Sequence, residues 1–324
     1  MTSLRNMTSG SPGRLILSFA LPLMLGNLFQ QFYTIADAAI VGQVLGVSGI
    51  AAVGAAEWII WMMQGMIQGF TQGFAIQMSQ DFGAGQYKRL RNDIANSALL
   101  SAVSAVIMLT GGQIFAAWML KTLHTPESVW ADTMTYMRTM FWGIPIVMAY
   151  NLFASILRAL GDGKTPLYAM ICASFINIGL DLWFVPVLGM GVFGAAAATV
   201  LAQCCSSVFC LIKILHISAL KFKREDLTVD ASLHLRLLKL GMPMAFQNFV
   251  ISVGGMIVQS VVNGFGVAFI AGFTATNKLY GMLEVAGTSY GFAMTTYTGQ
   301  NLGAGKTSRI RKGYREALII AVFT

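Results

Sequence analysis

Charge is the property that this 324-residue chain has least of. Only 10% of its residues are Asp, Glu, Lys or Arg, whereas 56% are hydrophobic and the mean hydropathy is +0.67. Soluble domains carry about a quarter charged residues. Too little polar surface is available to cover a globule in water, so the composition predicts an integral membrane protein.

Cysteine is scarce as well, and its placement argues against disulfide or metal chemistry. No two of the four cysteines have the spacing of a zinc site or of a disulfide framework. All four lie in apolar runs, where they are expected as small buried hydrophobic residues: Cys172, Cys204, Cys205 and Cys210. We therefore expect no metal centre of this kind and no cofactor.

Short strings that resemble enzyme motifs lack the partners that catalysis needs. The segment from Gly303 to Thr307 resembles a phosphate-binding loop, but Gln300 occupies the position of its first glycine. Ser48 and Ser289 lie in serine-protease-like strings, yet none of the three histidines is near either of them. The sequence therefore favours a protein that is not an enzyme.

Long apolar runs are what the chain has in abundance. Eight of them are long enough to cross a hydrocarbon core of ~30 Å. A ninth starts near Tyr314 and stops at Thr324, about half the length of a span, so we expect about eight and a half spans. The eight runs lie near 15–41, 50–79, 93–119, 131–157, 165–186, 192–214, 235–262 and 267–298.

The net charge of +8 is explained by membrane topology. If the N-terminus is cytoplasmic, nearly all Lys and Arg residues between the spans fall on the cytoplasmic side, and the opposite side holds only Lys121. Cytoplasmic loops carry such an excess of basic residues. The pattern predicts a multi-pass protein of the cell (inner, cytoplasmic) membrane with a cytoplasmic N-terminus, and it argues against a nucleic-acid partner.

An internal repeat divides the chain. The segment Gln80–Gly85 (QDFGAG) returns 220 positions later as Gln300–Gly305 (QNLGAG), and each copy is followed by Arg-x-Arg after three residues. Upstream, PLMLGN at 22–27 matches PMAFQN at 243–248. Two matches in nearly one register indicate a duplicated module. Six spans precede the second copy, so the modules should enter the membrane in the same sense.

Several segments together resemble the multidrug and toxic compound extrusion (MATE) family. They are PLMLGNLFQQFYTIADAAIVGQVLG, the paired GAG segments, RALGDGKTPLY and NIGLDLWFVPVLGMGVFGAAAATVLAQ. The resemblance implies an all-α, polytopic membrane helix bundle with two pseudo-symmetric lobes of six helices, the second incomplete here. We expect a first lobe at 1–218, a cytoplasmic linker at 219–233 and the first part of a second lobe at 234–324.

Two acidic residues inside spans are candidates for an ion site. A carboxylate within the membrane is costly and usually functional. Asp37 and Asp181 fall in the outer half of their spans, at heights that overlap those of Asn177 and Thr199. Oxygen ligands of this kind suit Na⁺, and a buried carboxyl can bind H⁺ instead. The resemblance to the MATE family implies a cation site in the first lobe, made by an Asp on helix 1, an Asn-x-x-x-Asp on helix 5 and a Thr on helix 6, and these four positions match it. The alternative is that Asp181 caps a broken helix and Asp37 bonds to a neighbouring backbone group.

A second set of residues is a candidate for the substrate cavity. Gln64 and Gln68 belong to a polar stripe on the second span, which should face protein or water rather than lipid. Bonding between helices explains such a stripe equally well, and Lys278 and Glu284 have the further alternative of structural pairing. The candidate set is Gln31, Tyr33, Gln64, Met66, Gln68, Tyr150, Asn151, Lys278 and Glu284.

These features and the resemblance predict an antiporter. We expect a monomer that exports small organic, often cationic, compounds in exchange for Na⁺ or H⁺ by alternating access. The alternative is a flippase for lipid-linked saccharides with the same two-lobe architecture, which would need a strongly basic cavity. Few cations, chiefly Arg138 and Lys278, lie within the spans.

Overall fold

A computed structural model describes residues 4–221, 228–263, 265 and 267–323. Every regular element among these residues is a helix, which confirms the all-α prediction. A short 3₁₀ helix, Ser218–Leu220, follows the sixth α-helix. The α-helices are α1 Pro12–Gly83, α2 Tyr87–Thr122, α3 Glu127–Trp142, α4 Ile144–Ala159, α5 Lys164–Phe184, α6 Gly191–Leu215, α7 Ala231–Asn263, α8 Val267–Gly303 and α9 Thr307–Val322.

Helix α1 contains the first two predicted spans. Its 72 residues would extend over about 108 Å if they were straight. However, Met7, just before the helix, donates its N–H to Oε1 of Gln300 at 2.8 Å, and Gly83 at the other end lies against the carbonyl of the same Gln300. The helix therefore doubles back, and the break is at Gly46, whose φ of 69° and ψ of −159° are not helical. We call residues 12–45 the first arm and 47–83 the second arm.

The predicted fourth span is broken in the middle. Helices α3 and α4 meet at Gly143 with a bend of 46°. Pro145 stands in the first turn of α4, where its missing N–H costs no hydrogen bond. Among the described residues five helices are long and apolar enough to cross a membrane, with α1 counted once, or six if α3 and α4 form one span.

The two copies of the repeat contact each other. A Cβ on Gly83 would overlap the carbonyl oxygen of Gln300, and a Cβ on Gly303 would overlap that of Gln80. These residues are counterparts at a distance of 220 positions. Each glycine thus accepts the backbone of the other copy, which only a residue without a side chain permits.

The other repeated segment also joins α1–α6 to α7–α9. Asn27 of the first arm donates to Oγ of Ser289 on α8 at 3.2 Å. Its counterpart Asn248 on α7 donates to the carbonyl of Gly65 on the second arm at 2.9 Å. The arms of α1 therefore pack against α8 and α7 respectively, and this reciprocal packing holds the two helix groups together.

We call the end of the bundle that carries Lys88, Arg158 and Lys306 the basic end. Two short non-helical segments close it. Before α1, the carbonyl of Thr8 accepts a hydrogen bond from Nζ of Lys306 at 2.9 Å. Before α7, the carbonyl of Thr228 accepts one from Nδ2 of Asn96 at 2.9 Å. The segment before α1 thus contacts α7–α9, and the segment before α7 contacts α1–α6.

The predicted linker at 219–233 and the connection between α7 and α8 are only partly covered. Residues 222–227, 264 and 266 lie outside the described residues. The lipid-facing surface carries large apolar side chains such as Trp118, Trp142 and Phe175, each 63–69% exposed. Outside a membrane such a surface would aggregate.

Candidate functional site

The two acidic residues predicted for the ion site lie together. Asp37 is on the first arm of α1 and Asp181 is near the end of α5, and their carboxyl groups are within hydrogen-bonding range of each other. Asp37 is 8% exposed and Asp181 is fully buried. Two buried carboxyl groups in contact cannot both be ionised without a compensating charge, so the pair is suited to hold a proton or a cation.

The predicted amide and hydroxyl complete the same site. Asn177 lies one turn before Asp181 on α5, and its Nδ2 donates to Oγ1 of Thr199 on α6 at 3.5 Å. Helices α5 and α6 are joined by a short connection at residues 185–190 and pack side by side. The structure therefore brings all four predicted residues to one place inside α1–α6.

The site has a surplus of hydrogen-bond acceptors. Five buried side-chain oxygens accept no hydrogen bond: Oδ1 of Asp37, both carboxyl oxygens of Asp181, Oδ1 of Asn177 and Oε1 of Gln203. Leaving a buried acceptor without a partner costs about 1–3 kcal/mol. Oxygen atoms that accept no hydrogen bond are suited to bind a proton or a hard cation. This group of oxygens therefore fits Na⁺ or H⁺.

A small cavity adjoins this site. Its volume of about 10 Å³ leaves room for about one water molecule. Tyr33, Asn177, Thr199 and Gln203 are among its lining residues. The hydroxyl of Tyr33 is within hydrogen-bonding range of Gln203. Tyr33, predicted for the substrate cavity, thus lies beside the ion site.

Gln203 was not among the residues predicted from the sequence. It follows Thr199 by four positions, so both side chains lie on the same face of α6. A polar residue one turn from a candidate ligand, in an otherwise apolar helix, is the signal that could have identified it. Gln203 is 8% exposed.

The remaining cavity candidates are dispersed. Tyr150 and Met66 pack in the apolar interior of α1–α6, Tyr150 with 7% exposure. Asn151 donates its Nδ2 to the carbonyl of Val147, its own preceding turn, at 2.8 Å. Gln31, Gln64 and Gln68 are half-buried on α1.

The two charged candidates on α8 have different outcomes. The side chain of Lys278 lies outside the described residues. Glu284 is exposed and lines an open groove of about 480 Å³ together with Tyr280, Leu283, Gly287 and Thr288. One carboxylate in a wide groove is compatible with a cationic cargo, but no described contact joins it to the ion site.

Comparison with known proteins gives the family. Residues 22–183 and 243–324 match the MatE family profile. The chain is 30% identical over 307 residues to the probable multidrug resistance protein YpnP of Bacillus subtilis, covering 94% of this chain and 68% of that protein. It is 23% identical to the probable multidrug resistance protein NorM of Thermotoga maritima, covering 95% and 67%. The chain thus spans about two thirds of the length of these relatives.

Solved structures share the fold. One described as the outward-facing conformation of a multidrug resistance MATE family transporter of the MOP superfamily has a TM-score of 0.90 at 24% identity, covering 97% of this chain and 70% of that one. A MOP superfamily transporter from Pyrococcus furiosus Vc1 has a TM-score of 0.89 at 24% identity, with the same coverage.

The helical fold and the family match define a polytopic membrane transporter. More particularly, the chain belongs to the MatE family of multidrug efflux transporters.

Proposed function

We propose that this protein is an antiporter that exports small organic, often cationic, compounds in exchange for Na⁺ or H⁺. The observation that carries the proposal is the cluster of buried oxygens around Asp37 and Asp181, four of which belong to the predicted residues and accept no hydrogen bond. Such a cluster binds a small cation or a proton in one state and is destabilised without it. That difference is what an ion-coupled pump requires.

Coupling follows from where the site is built. Asp37 stands on the first arm of α1, and this arm packs against α8 through Asn27 and Ser289. An ion that draws Asp37 toward Asn177 and Asp181 acts on the same helix that contacts the second helix group. Ion binding can therefore bias the arrangement of the two groups, and cargo that prefers one arrangement is coupled to it by the same free energy.

The chemistry of the site also bears on the cargo. The buried charged residues of the site are acids, and the open groove beside Tyr280 presents the carboxylate of Glu284. Acids favour cationic compounds, whereas the pyrophosphate of a lipid-linked saccharide needs basic groups. These features support drug efflux over the flippase alternative. YpnP and NorM are curated as probable multidrug resistance proteins, which agrees with this choice.

The test is ion-driven transport in proteoliposomes. With an imposed Na⁺ or pH gradient, efflux of a fluorescent organic cation should fall by at least tenfold in Asp37→Asn and Asp181→Asn, because either change removes a charge that the coupling ion needs. Asp132→Asn changes an exposed acid on α3 and should transport normally. Undiminished gradient-driven transport in either site variant would refute the mechanism, provided that both variants insert as the wild type does.

A further inference from the structure

A second pair of buried carboxyl groups lies at the basic end of the bundle, far from the ion site. Asp81 is at the end of the second arm and Asp93 is in the second turn of α2, and their carboxyl groups are within hydrogen-bonding range of each other. They are 6% and 3% exposed. Oδ2 of Asp93 accepts no hydrogen bond, and one turn further along α2 the buried hydroxyl of Ser97 has no partner either.

The repeat shows that this corner does not need acids in order to fold. The counterparts of Gln77, Asp81 and Asp93 at a distance of 220 positions are Tyr297, Asn301 and Gly313. In that copy the ring of Tyr297 occupies the space beside Gly313, and Asn301 donates to the carbonyl of Met7 at 3.2 Å.

In the first copy a polar network replaces this packing. Nε2 of Gln77 donates to Oδ2 of Asp81 at 3.4 Å, and Asp93 stands where the other copy has only a glycine. The same corner architecture is therefore built once with an aromatic ring and once with two carboxyl groups. Two buried acids cost free energy that the sister corner avoids, which indicates a role beyond packing.

The charges around the pair determine what it can hold. Besides Asp81 from the second arm, the charged groups that face Asp93 are Arg89 from α2 and Arg236 from α7. Both arginines are exposed at the rim. Two arginines nearby disfavour a metal cation, whereas a single proton removes the repulsion between the carboxyl groups and supplies the hydrogen that their contact needs.

We propose that Asp81 and Asp93 form a second proton-binding site, in which one proton is shared between the two carboxyl groups at the basic end. One group is the neutral acid and donates its O–H to the ionised other. On release the proton passes to water at the rim, and the two carboxylates are then balanced by Arg89 and Arg236. Arg236 belongs to the second helix group, so separation of the groups would withdraw it and increase the proton affinity of the pair.

The proposal is independent of the antiport mechanism and is tested without transport. Infrared spectra of the protein in lipid nanodiscs at pH 7 should contain a carboxylic-acid C=O absorption that is lost both in Asp93→Asn and in Asp81→Asn. Asp81→Asn introduces the residue that the sister corner already contains, so it should fold. Asp37→Asn, the matched change in the ion site, should leave this absorption intact. If both corner variants retain the whole wild-type absorption, the proposal is wrong.

A titration provides the second readout. Arg236→Gln alters only an exposed residue, and it should make proton binding about tenfold tighter, so that the absorption disappears about one pH unit higher than in the wild type. An unmoved transition would overturn the assignment, because an absorption that arises from carboxyl groups beside Arg236 must respond to the loss of its charge. Replacing choline chloride by NaCl should leave the absorption unchanged, and its loss would mean that the pair binds Na⁺ instead.

Discussion

At the scale of single residues, the proposed ion site is distinguished by buried oxygens that accept no hydrogen bond. Most buried polar groups in proteins have a hydrogen-bond partner. Here Asp37, Asn177, Asp181 and Gln203 all leave buried oxygens without one. The donors nearby, among them Nδ2 of Asn177 and the hydroxyl of Tyr33, leave these oxygens without a partner, and in the proposed mechanism the coupling ion or proton takes that place.

Gln203 should contribute to ion affinity although it carries no charge. Replacing it with Leu removes the buried oxygen Oε1 and the contact with Tyr33. The concentration of coupling ion that gives half-maximal transport should rise by about fivefold to tenfold, as expected for the loss of about 1 kcal/mol. Gln113→Leu, the same change on α2 away from the site, serves as the control. Equal ion dependence in the two variants would exclude Gln203 from the site.

The sequence drew attention to the acids of the candidate site more readily than to their neutral neighbours. Asp37 and Asp181 stand out because a charge inside an apolar span has few structural explanations. Gln203 is less conspicuous, since amides also join membrane helices. Asp81 and Asp93 border charged loops, and nothing in the sequence indicates that their carboxyl groups meet.

At the scale of helices, breaks are as informative as the spans. Apolar runs predicted the extents of the helices within a few residues, because the length of a span is set by the membrane. They did not predict the bend at Gly143, since Gly143 and Pro145 lie in an apolar run that is long enough for one helix. The break at Gly46 falls in the gap between the first two predicted runs, 15–41 and 50–79, where a glycine allows the backbone to reverse.

The start of α7 is a capped helix terminus that can be tested. Oδ1 of Asp230 accepts hydrogen bonds from the hydroxyl of Ser232 at 2.7 Å and from the N–H groups of Ser232 and Leu233 at 2.8 and 3.3 Å. These hydrogen bonds hold the pKa of Asp230 below its usual value, with the largest contribution from the Ser232 hydroxyl and smaller ones from the two N–H groups.

Asp230→Ala should speed amide hydrogen exchange at Ser232 and Leu233, because both amides lose their acceptor. In the wild type the carboxylate protects these amides above its ordinary pKa, and the protection should disappear as the pH falls through the lowered value. Asp230→Asn retains an acceptor oxygen and should keep most of the protection at neutral pH. Unchanged exchange in Asp230→Ala would contradict the cap.

At the scale of the whole molecule, the repeat forms the closure of the basic end. The sequence predicted two related modules but not that the repeated segments touch, because similarity between copies carries no information about their distance. The contact depends on Gly83 and Gly303, each of which lies against the backbone of the other copy. The GAG segments thus act as a mutual docking surface as well as tight turns.

Gly83→Ala should weaken this closure. The added methyl group would overlap the carbonyl of Gln300, and relieving the overlap requires the two helix groups to move apart. We expect a loss of about 1–3 kcal/mol of stability, typical of overpacking, measured as a lower midpoint of thermal unfolding in detergent. Gly111→Ala, where a Cβ meets nothing within 4 Å, should be neutral or stabilising. Equal midpoints for Gly83→Ala and the wild type would show that the contact is dispensable.

The reciprocity of this contact has an evolutionary consequence. Gly83 of the first copy meets Gln300 of the second, and Gly303 of the second copy meets Gln80 of the first. Such an exchange of equivalent contacts is the pattern of a twofold-symmetric homodimer. Two separate copies of an ancestral half could have made the same association before they were fused into one chain. After fusion, a change in either glycine segment alters both sides of the seam at once, so this stretch is where the halves are least free to diverge.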